Sequence, residues 1–575
     1  MTTIATLRAA RLTRAGAEEF TAPGAGPRRR AALTELTRMA LQALWTEIAG
    51  DPDGVALACT GSLARGDTGP LGDLDLIVVH HRRSDAEPAR IAERLWYPLW
   101  DCGLGLDHAM RSVTECRRVA AADLNVTTAL LDIGHIAGDP RVVDHVRADL
   151  AEDWRKHSRA RLPELIEAVT ERHHRAGDLA QLLAPDLKES RGGLRDMTVL
   201  RALAVSWLTD RPHGRIDTAH GELLDVRDAV QMLTERPRNL LTQADQADVA
   251  RMLGDADADA LLTRVSLAAR TIANGLDATM RRARQSQQQR RRLRGPRRPE
   301  LRPVGDGIFT HDSELVLGPR TDRTDALLPL RLATHADAGT PISPVTLTNL
   351  ARDTPAIPVP WPAEARHLLL HLLGSGPGLV AIWEDLDQAG LVTRWLPEWE
   401  PVRSRPQRNP WHRHTVDRHS IEAVALAGTL TGRSPNPAVL LVATLLHDIG
   451  KLPGSTDHSL DGAPIARRVA TRWGFRPAEV DDIEVLVREH LTLARLATTR
   501  DPDDPATGDE LLAAVGHRPD LVRQLALLTE ADARAAGTGT WTPWRAELIG
   551  TLARRAEAAG AGRAATESGV DICRS

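Results

Sequence analysis

The sequence predicts an α+β protein of several domains, with its few strands near the N-terminus and helices over most of the remainder. Three observations carry this. At 575 residues the chain is longer than one hydrophobic core organises. Two short apolar runs, residues 55–60 and 74–79, are bounded by glycine and proline turns and read as strands. From residue 91 to 287 the apolar spacing is dominantly helical, and residues 438–446 (AVLLVATLL) are apolar on every side, as in a buried helix.

Hydrophobic residues at 42% and charged residues at 26% are ordinary for a globular protein. Aromatics make up only 3%, so the cores are expected to be Leu, Val and Ala with a few Trp. A net charge of −4 and a pI near 6.6 give no basic footprint, which argues against a nucleic-acid partner. The N-terminus lacks a secretory apolar region, and the longest apolar stretch falls short of the ~20 residues a membrane span needs. Cys59, Cys102, Cys116 and Cys573 form no paired-ligand spacing and read as reduced thiols, so a cytoplasmic protein with no membrane association is expected.

Residues 1–30, rich in Ala, Arg, Gly and Pro, read as a flexible lead-in. A helix follows over 31–45, with Leu33, Leu36, Ala40 and Leu44 on one side. The strand at 55–60 breaks at Gly61, and a turn at 69–72 opens the strand at 74–79; these elements form a domain over 31–150. Residues 151–300 are a helical domain whose arginine- and glutamine-rich block, 281–298, reads as a solvated helix end and linker rather than a phosphate-binding arm. A β-hairpin at 304–318 and a proline-rich stretch at 353–362 mark a connector over 301–400. A last helical domain covers 401–550, with a tail at 551–575.

Side chains alternate along a strand, so Asp73 and Asp75 project together while Leu74 and Leu76 face the core. Adjacent carboxylates repel unless a cation lies between them, and Mg²⁺ is commonly held by such a pair together with substrate phosphates. Gly61 and Ser62 directly follow the first strand, where backbone N–H groups can cradle a triphosphate and Arg65 can add charge-assisted contacts. Strand, Gly-Ser turn and Asp-x-Asp strand together resemble the nucleotidyltransferase fold of DNA polymerase β and its relatives. There a third carboxylate usually comes from a later strand, and Asp107 is the candidate.

The apolar helix, capped by Asn436 with Pro437 at its first position, ends at His447-Asp448, and Gly450 is expected to supply a left-handed exit. A buried histidine and aspartate side by side are costly unless liganded, and imidazole with carboxylate suits Zn, Mn or Fe. His419 upstream and Asp532 downstream complete the order of the HD phosphohydrolase superfamily, which this region resembles. His458 and His490 lie between; they either hold a second metal or the substrate phosphate, or have a structural role. A second His-Asp pair, His311-Asp312, has no apolar helix before it and reads as chance.

Taken together, the chain resembles the bifunctional nucleotidyltransferase and nucleotidyl-removing enzymes that modify the PII nitrogen-signalling protein. The motifs are residues 61–66 (GSLARG) with Asp73-Leu74-Asp75, residues 185–196 (PDLKESRGGLRD), and, in the HD part, 412–419, His447-Asp448, 457–459 and His490. The resemblance implies transfer of UMP from UTP, or AMP from ATP, to a PII tyrosine on Mg²⁺, and removal at an HD site holding Mg²⁺, Mn²⁺ or another divalent ion. Residues 185–196 read as a tight loop in which Lys188 and Arg191 either contact nucleotide or partner or form local salt bridges. Ser62-Leu63-Ala64 replaces the family's usual Gly-Tyr-Gly run. The short stretch after Asp532 leaves no room for two glutamine-sensing ACT domains, so control by that route is not expected.

Two other readings compete. CCA-adding tRNA nucleotidyltransferases share such a head but need a basic face and lack the 185–196 motif; guanosine polyphosphate synthetase/hydrolases place HD first. A catalytically silent regulator that binds PII or nucleotide is the alternative of a different class.

Overall fold

The computed structural model describes residues 3–82, 84–291, 300–336, 339–409, 413–537 and 539–572, with side chains for all of these but 287–291 and 562–572. Trp411, His412, Cys573 and residues 292–298 of the arginine- and glutamine-rich block lie outside the described residues. The chain divides into two units, Met1–Gly295 and Pro296–Ser575.

The first unit is built on a four-stranded sheet in the order β3-β2-β1-β4. Strands β1 (Val55–Cys59) and β2 (Leu74–His80) are antiparallel, β4 (Gly134–Gly138) pairs antiparallel with β1, and β3 (Leu106–Ser112) pairs parallel with β2. Both central strands are nearly continuous apolar runs because both sheet faces are covered. Leu57, Leu74, Leu76 and Val78 pack with Leu41, Trp45 and Leu95 on one face. Ala56, Ala58, Ile77 and Val79 pack with Val113, Val142 and Val146 on the other. Asp75 is in phase with Ile77 and Val79, so it stands on this second face, at the strand's leading end.

Residues 4–30 are not a loose lead-in. Helix α1 (Leu7–Ala15) buries Leu7, Arg11 and Ala15 along one stripe, and α2 starts at Gly26 and runs to Ile48. Arg29 and Arg30 are buried against Asp225 and Asp228, with Arg30 Nη1 2.5 Å from Asp225 Oδ1. Composition alone hides this, because an arginine buried on its carboxylates has the same letter as a solvated one.

Helix α3 (Pro140–Ala176) joins the sheet to the helical part. Asp139 caps it, accepting from Arg141 N and also from Gly54 N at the start of β1. Its first half gives Val142, Val146 and Leu150 to the core under the sheet. Its second half gives Trp154, Leu162, Leu165 and Val169 to a separate core with α4 (Leu194–Val205), α5 (Arg215–Thr234) and α6 (Ala258–Arg291).

The second unit opens with three short antiparallel strands, β5 (Arg302–Gly305), β6 (Ile308–His311) and β7 (Glu314–Leu317), one strand more than the expected hairpin. The helices that follow share one continuous core running from Ile308 to Ala556. The expected division into connector, HD domain and tail is therefore not a division of packing. Ile549, Leu552, Ala553 and Ala556 form a helical stripe that buries part of the expected tail in that core.

Candidate active sites

In the first unit the turn before β2 sets the position of the acidic pair. Gly72 N donates to Gly69 O, and Leu74 N donates to Gly105 O, the residue just before β3. The parallel register then places Asp75 directly beside Asp107. Glycines make room for the carboxylates: a Cβ at Gly61 would lie 1.9 Å from Asp75 Oδ2, and one at Gly105 would lie 2.2 Å from Asp73 Oδ1. Gly61 has a left-handed φ of 61° and opens a short helical turn, Gly61–Arg65.

Asp73, Asp75 and Asp107 line one cavity of about 640 Å³, together with Gly61, Ser62, Arg65 and Lys188. Burial lifts the Asp75 carboxyl above its ordinary range; Lys188 opposes this, and Asp73 and Asp107 reinforce it. Three carboxylates lining one cavity, two of them beside glycines where a methyl would clash, suit a divalent cation of the hard, oxygen-ligated kind.

The expected nucleotide contacts are placed less uniformly. Arg65 reaches the cavity but is also paired with Asp132 at 3.0 Å and Asp67 at 3.4 Å. Arg191 does not line the cavity. Its two terminal nitrogens bind Asp178 at 3.0 Å and Asp277 at 2.7 Å, so of the two readings left open for it the local ion pair is the one observed. The 185–196 segment is the tight loop its glycines suggested. Asp186 Oδ1 accepts from Lys188 N and Glu189 N, and a Cβ at Gly192 would lie 2.4 Å from Ala269 O. Asp196, fully buried, accepts from Gly192 N, Arg172 and His173. Arg172, Arg175, Arg195 and Asn125 also line the cavity. Sequence reasoning missed them; only Arg195, inside the 185–196 motif, stood where a signal existed.

In the second unit four histidines and two aspartates come together from separate helices. Helix α7 (Val416–Leu430) carries His419, α8 (Pro437–Leu446) ends at His447-Asp448, α9 (His458–Arg472) begins with His458, α10 (Pro477–Glu489) ends before His490, and α11 (Pro519–Ala536) carries Asp532. Asn436 caps α8 as expected, accepting from Val439 N. Gly450 does not take a left-handed exit: it is absent from the positive-φ glycines of the structure. Its lack of a side chain serves close approach instead, since a Cβ there would lie 2.1 Å from His458 O and 2.4 Å from Gly462 N.

These side chains form two candidate ligand groups, His419–His447–Asp532 and Asp448–His458–His490. His419 Nε2 lies 2.8 Å from Asp532 Oδ1 and 3.3 Å from His447 Nε2. Asp448 faces both groups: its Oδ2 is 3.4 Å from His447 Nε2, and its Oδ1 is 3.4 Å from His458 Nε2. The orphan carbonyls at two helix ends fix the tautomers, because His447 Nδ1 donates to Thr444 O at 2.7 Å and His490 Nδ1 to Val487 O at 2.8 Å. Both Nε2 atoms are thereby left to bind inward. Burial alone would lower His447, but Asp448 and Asp532 overcome it and push it up to about 10. Burial holds His490 down at about 4. The carboxylates thus favour a positive charge between the imidazoles, which a divalent metal would supply in place of the His447 proton. His311 pairs with its own neighbour Asp312 and belongs to neither group.

The HD domain family matches residues 416–535, and the family described as GlnD PII-uridylyltransferase matches residues 160–280. The chain is 46% identical over 558 residues to the bifunctional uridylyltransferase/uridylyl-removing enzyme of Streptomyces coelicolor, covering 94% of this chain and 66% of that protein. It is 40% identical over 519 residues to the enzyme of that name from Mycobacterium tuberculosis, covering 88% and 64%. With the Corynebacterium glutamicum enzyme it shares 34% identity over 507 residues, covering 88% and 72%. The chain belongs to the family of bifunctional uridylyltransferase/uridylyl-removing enzymes. It spans about two thirds of the length of the first two of these relatives. In this family member the HD match contains all six candidate ligand residues of the second unit, and the 160–280 match contains Lys188 and Arg191. Asp73 and the strands bearing Asp75 and Asp107 lie outside both matched segments. No described helix is long and apolar enough to cross a membrane.

Proposed function

We propose that the chain transfers UMP from UTP to a tyrosine hydroxyl of a PII protein in its first unit, and hydrolyses the product in its second, as a cytoplasmic enzyme acting on no nucleic acid. The observation that carries this is the presence of two chemically different sites in separate units: three carboxylates on a cavity of about 640 Å³, and a buried histidine-aspartate cluster. Homology to enzymes named for both activities supports it.

Asp73, Asp75 and Asp107 would hold Mg²⁺, which neutralises the triphosphate when bound. Lys188 adds a cation beside them, and the backbone at Gly61-Ser62 lines the same cavity, where its N–H groups would receive the phosphate chain. The acceptor oxygen attacks the α-phosphorus, its proton is lost, and pyrophosphate leaves. Arg65, held by Asp67 and Asp132, lends charge at the cavity from a fixed position.

For removal, His419, His447, Asp448 and Asp532, joined by His458 and His490, would hold Mn²⁺ or Mg²⁺, which supplies an activated water when bound. Water adds to the phosphorus, the P–O bond to tyrosine breaks, and the phenolic oxygen regains a proton as UMP departs. Lys451 Nζ, 2.7 Å from Asp448 Oδ2 and 2.6 Å from Gln407 Oε1, orients that carboxylate, which His447 and then Lys451 hold well below the usual carboxylate range against its burial.

Incubation with a PII protein and labelled UTP or ATP tests this reading. Label from UTP should appear on PII with Mg²⁺ and leave as UMP with Mn²⁺; label on no protein would refute it.

A further inference from the structure

We infer that Arg11 is a positioning residue for the transferase site, because its buried guanidinium clamps the main chain of the turn that delivers Asp73. The inference rests on the transferase reading of that site. Arg11 Nη2 donates to Gly69 O at 2.5 Å and Nη1 to Gly72 O at 3.1 Å, and Gly72 is the residue before Asp73.

Helix α1 makes this placement unusual. Its buried stripe is Leu7, Arg11 and Ala15, spaced four residues apart, so a cation occupies the central core position of an amphipathic helix. The side chain is fully buried, and its terminal nitrogens are spent on main-chain carbonyls, not on a carboxylate. An apolar residue there would pack α1 at lower cost, since an ion that no carboxylate binds directly is expensive to bury, and Asp228 and Asp73 act on Arg11 only through their field. What the arginine gains is a fork of fixed geometry spanning both ends of a four-residue turn. Burial lowers its pKa to about 10, which leaves it charged in the physiological range.

A second clamp holds this turn and the residues that lead into it. Leu71 N donates to Gln231 Oε1 at 3.0 Å, and Arg227 Nη2 donates to Asp67 O at 2.9 Å, both from α5. A Cβ at Gly69 would lie 2.7 Å from Gln231 Oε1, so the turn and its clamp are in close contact. Asp73 itself emerges from the turn exposed, so its position is set by this turn and by the strand that follows rather than by packing of its own side chain.

The test compares Arg11→Gln and Arg11→Lys with the unaltered chain. Three quantities are read: UMP transfer to PII, removal of UMP from modified PII, and Mn²⁺ binding to the transferase site by water-proton relaxation in a His447→Ala/Asp448→Ala background. Arg11→Gln should lower transfer by about 10²-fold, the size expected of a misplaced catalytic group. It should also weaken Mn²⁺ binding several-fold, with partial recovery in Arg11→Lys and removal within twofold of normal. Unchanged transfer and unchanged Mn²⁺ binding in folded Arg11→Gln would overturn the inference. If Arg11→Gln does not fold, Arg11→Lys decides, because it keeps the charge and loses the fork: weaker Mn²⁺ binding than in the unaltered chain supports the clamp, and normal binding sinks it. Absence of transfer by the unaltered chain would instead strike the underlying transferase reading, while the Mn²⁺ comparison would still judge the clamp.

Discussion

Asp75 and Asp107 are direct partners on the parallel strands β2 and β3. Two carboxylates in paired positions, with Asp73 two residues upstream, concentrate negative charge that a folded protein avoids without a cation to offset it. Asp75→Asn should therefore lower UMP transfer by at least about 10²-fold, while removal stays within twofold. Rates of both reactions on one PII preparation check this.

Gly105 has no side chain because Asp73 occupies the space. Gly105→Ala would bring a methyl group to 2.2 Å from Asp73 Oδ1. Transfer should fall by about 10²-fold through displacement of that carboxylate. Transfer at the normal rate would show that Asp73 need not stand where it does.

In the second unit Asp448 faces both ligand groups, so its loss should disturb both. Asp448→Asn should abolish removal and reduce bound metal per chain, measured by elemental analysis after dialysis against Mn²⁺, with transfer retained. Normal metal content would contradict the ligand assignment.

His220 lines the proposed transferase cavity, and burial pushes its pKa down to about 4. The unfolded chain then binds more protons than the folded one between that value and the ordinary histidine value of about 6.5. The resulting stability is complete above about pH 6.5 and is lost as pH falls toward 4, by up to about 3 kcal/mol. In His220→Gln, urea midpoints should fall less steeply across that window. An unchanged slope would count against the buried neutral imidazole.

Much of both sites could be read from sequence, because the informative residues broke a local rule. Aspartates beginning an apolar strand, and a His-Asp pair ending an all-apolar helix, are costly without a ligand. The 55–60 and 74–79 runs were legible as strands because both sheet faces are covered. Arg11 and Arg191 were not legible: whether an arginine is solvated, paired or clamped to carbonyls depends on neighbours distant in sequence, here Gly69 and Gly72, or Asp277. Gly450 was placed at the right site for another reason, since a C-terminal glycine suggests a left-handed exit while the contact with His458 and Gly462 comes from tertiary packing. The packing of residues 549–556 with a core that begins at Ile308 was equally hidden in a long-range arrangement.

The central claim is that one chain builds and breaks the same linkage at two independent sites. The most direct measurement is UMP accumulation from UTP in the presence of a PII protein, which requires both reactions in sequence. The unaltered chain should accumulate UMP, Asp75→Asn and Asp448→Asn alone should not, and an equimolar mixture of the two variants should restore it. A mixture that stays silent although both variants are folded, or either variant cycling alone, would contradict the two-site account.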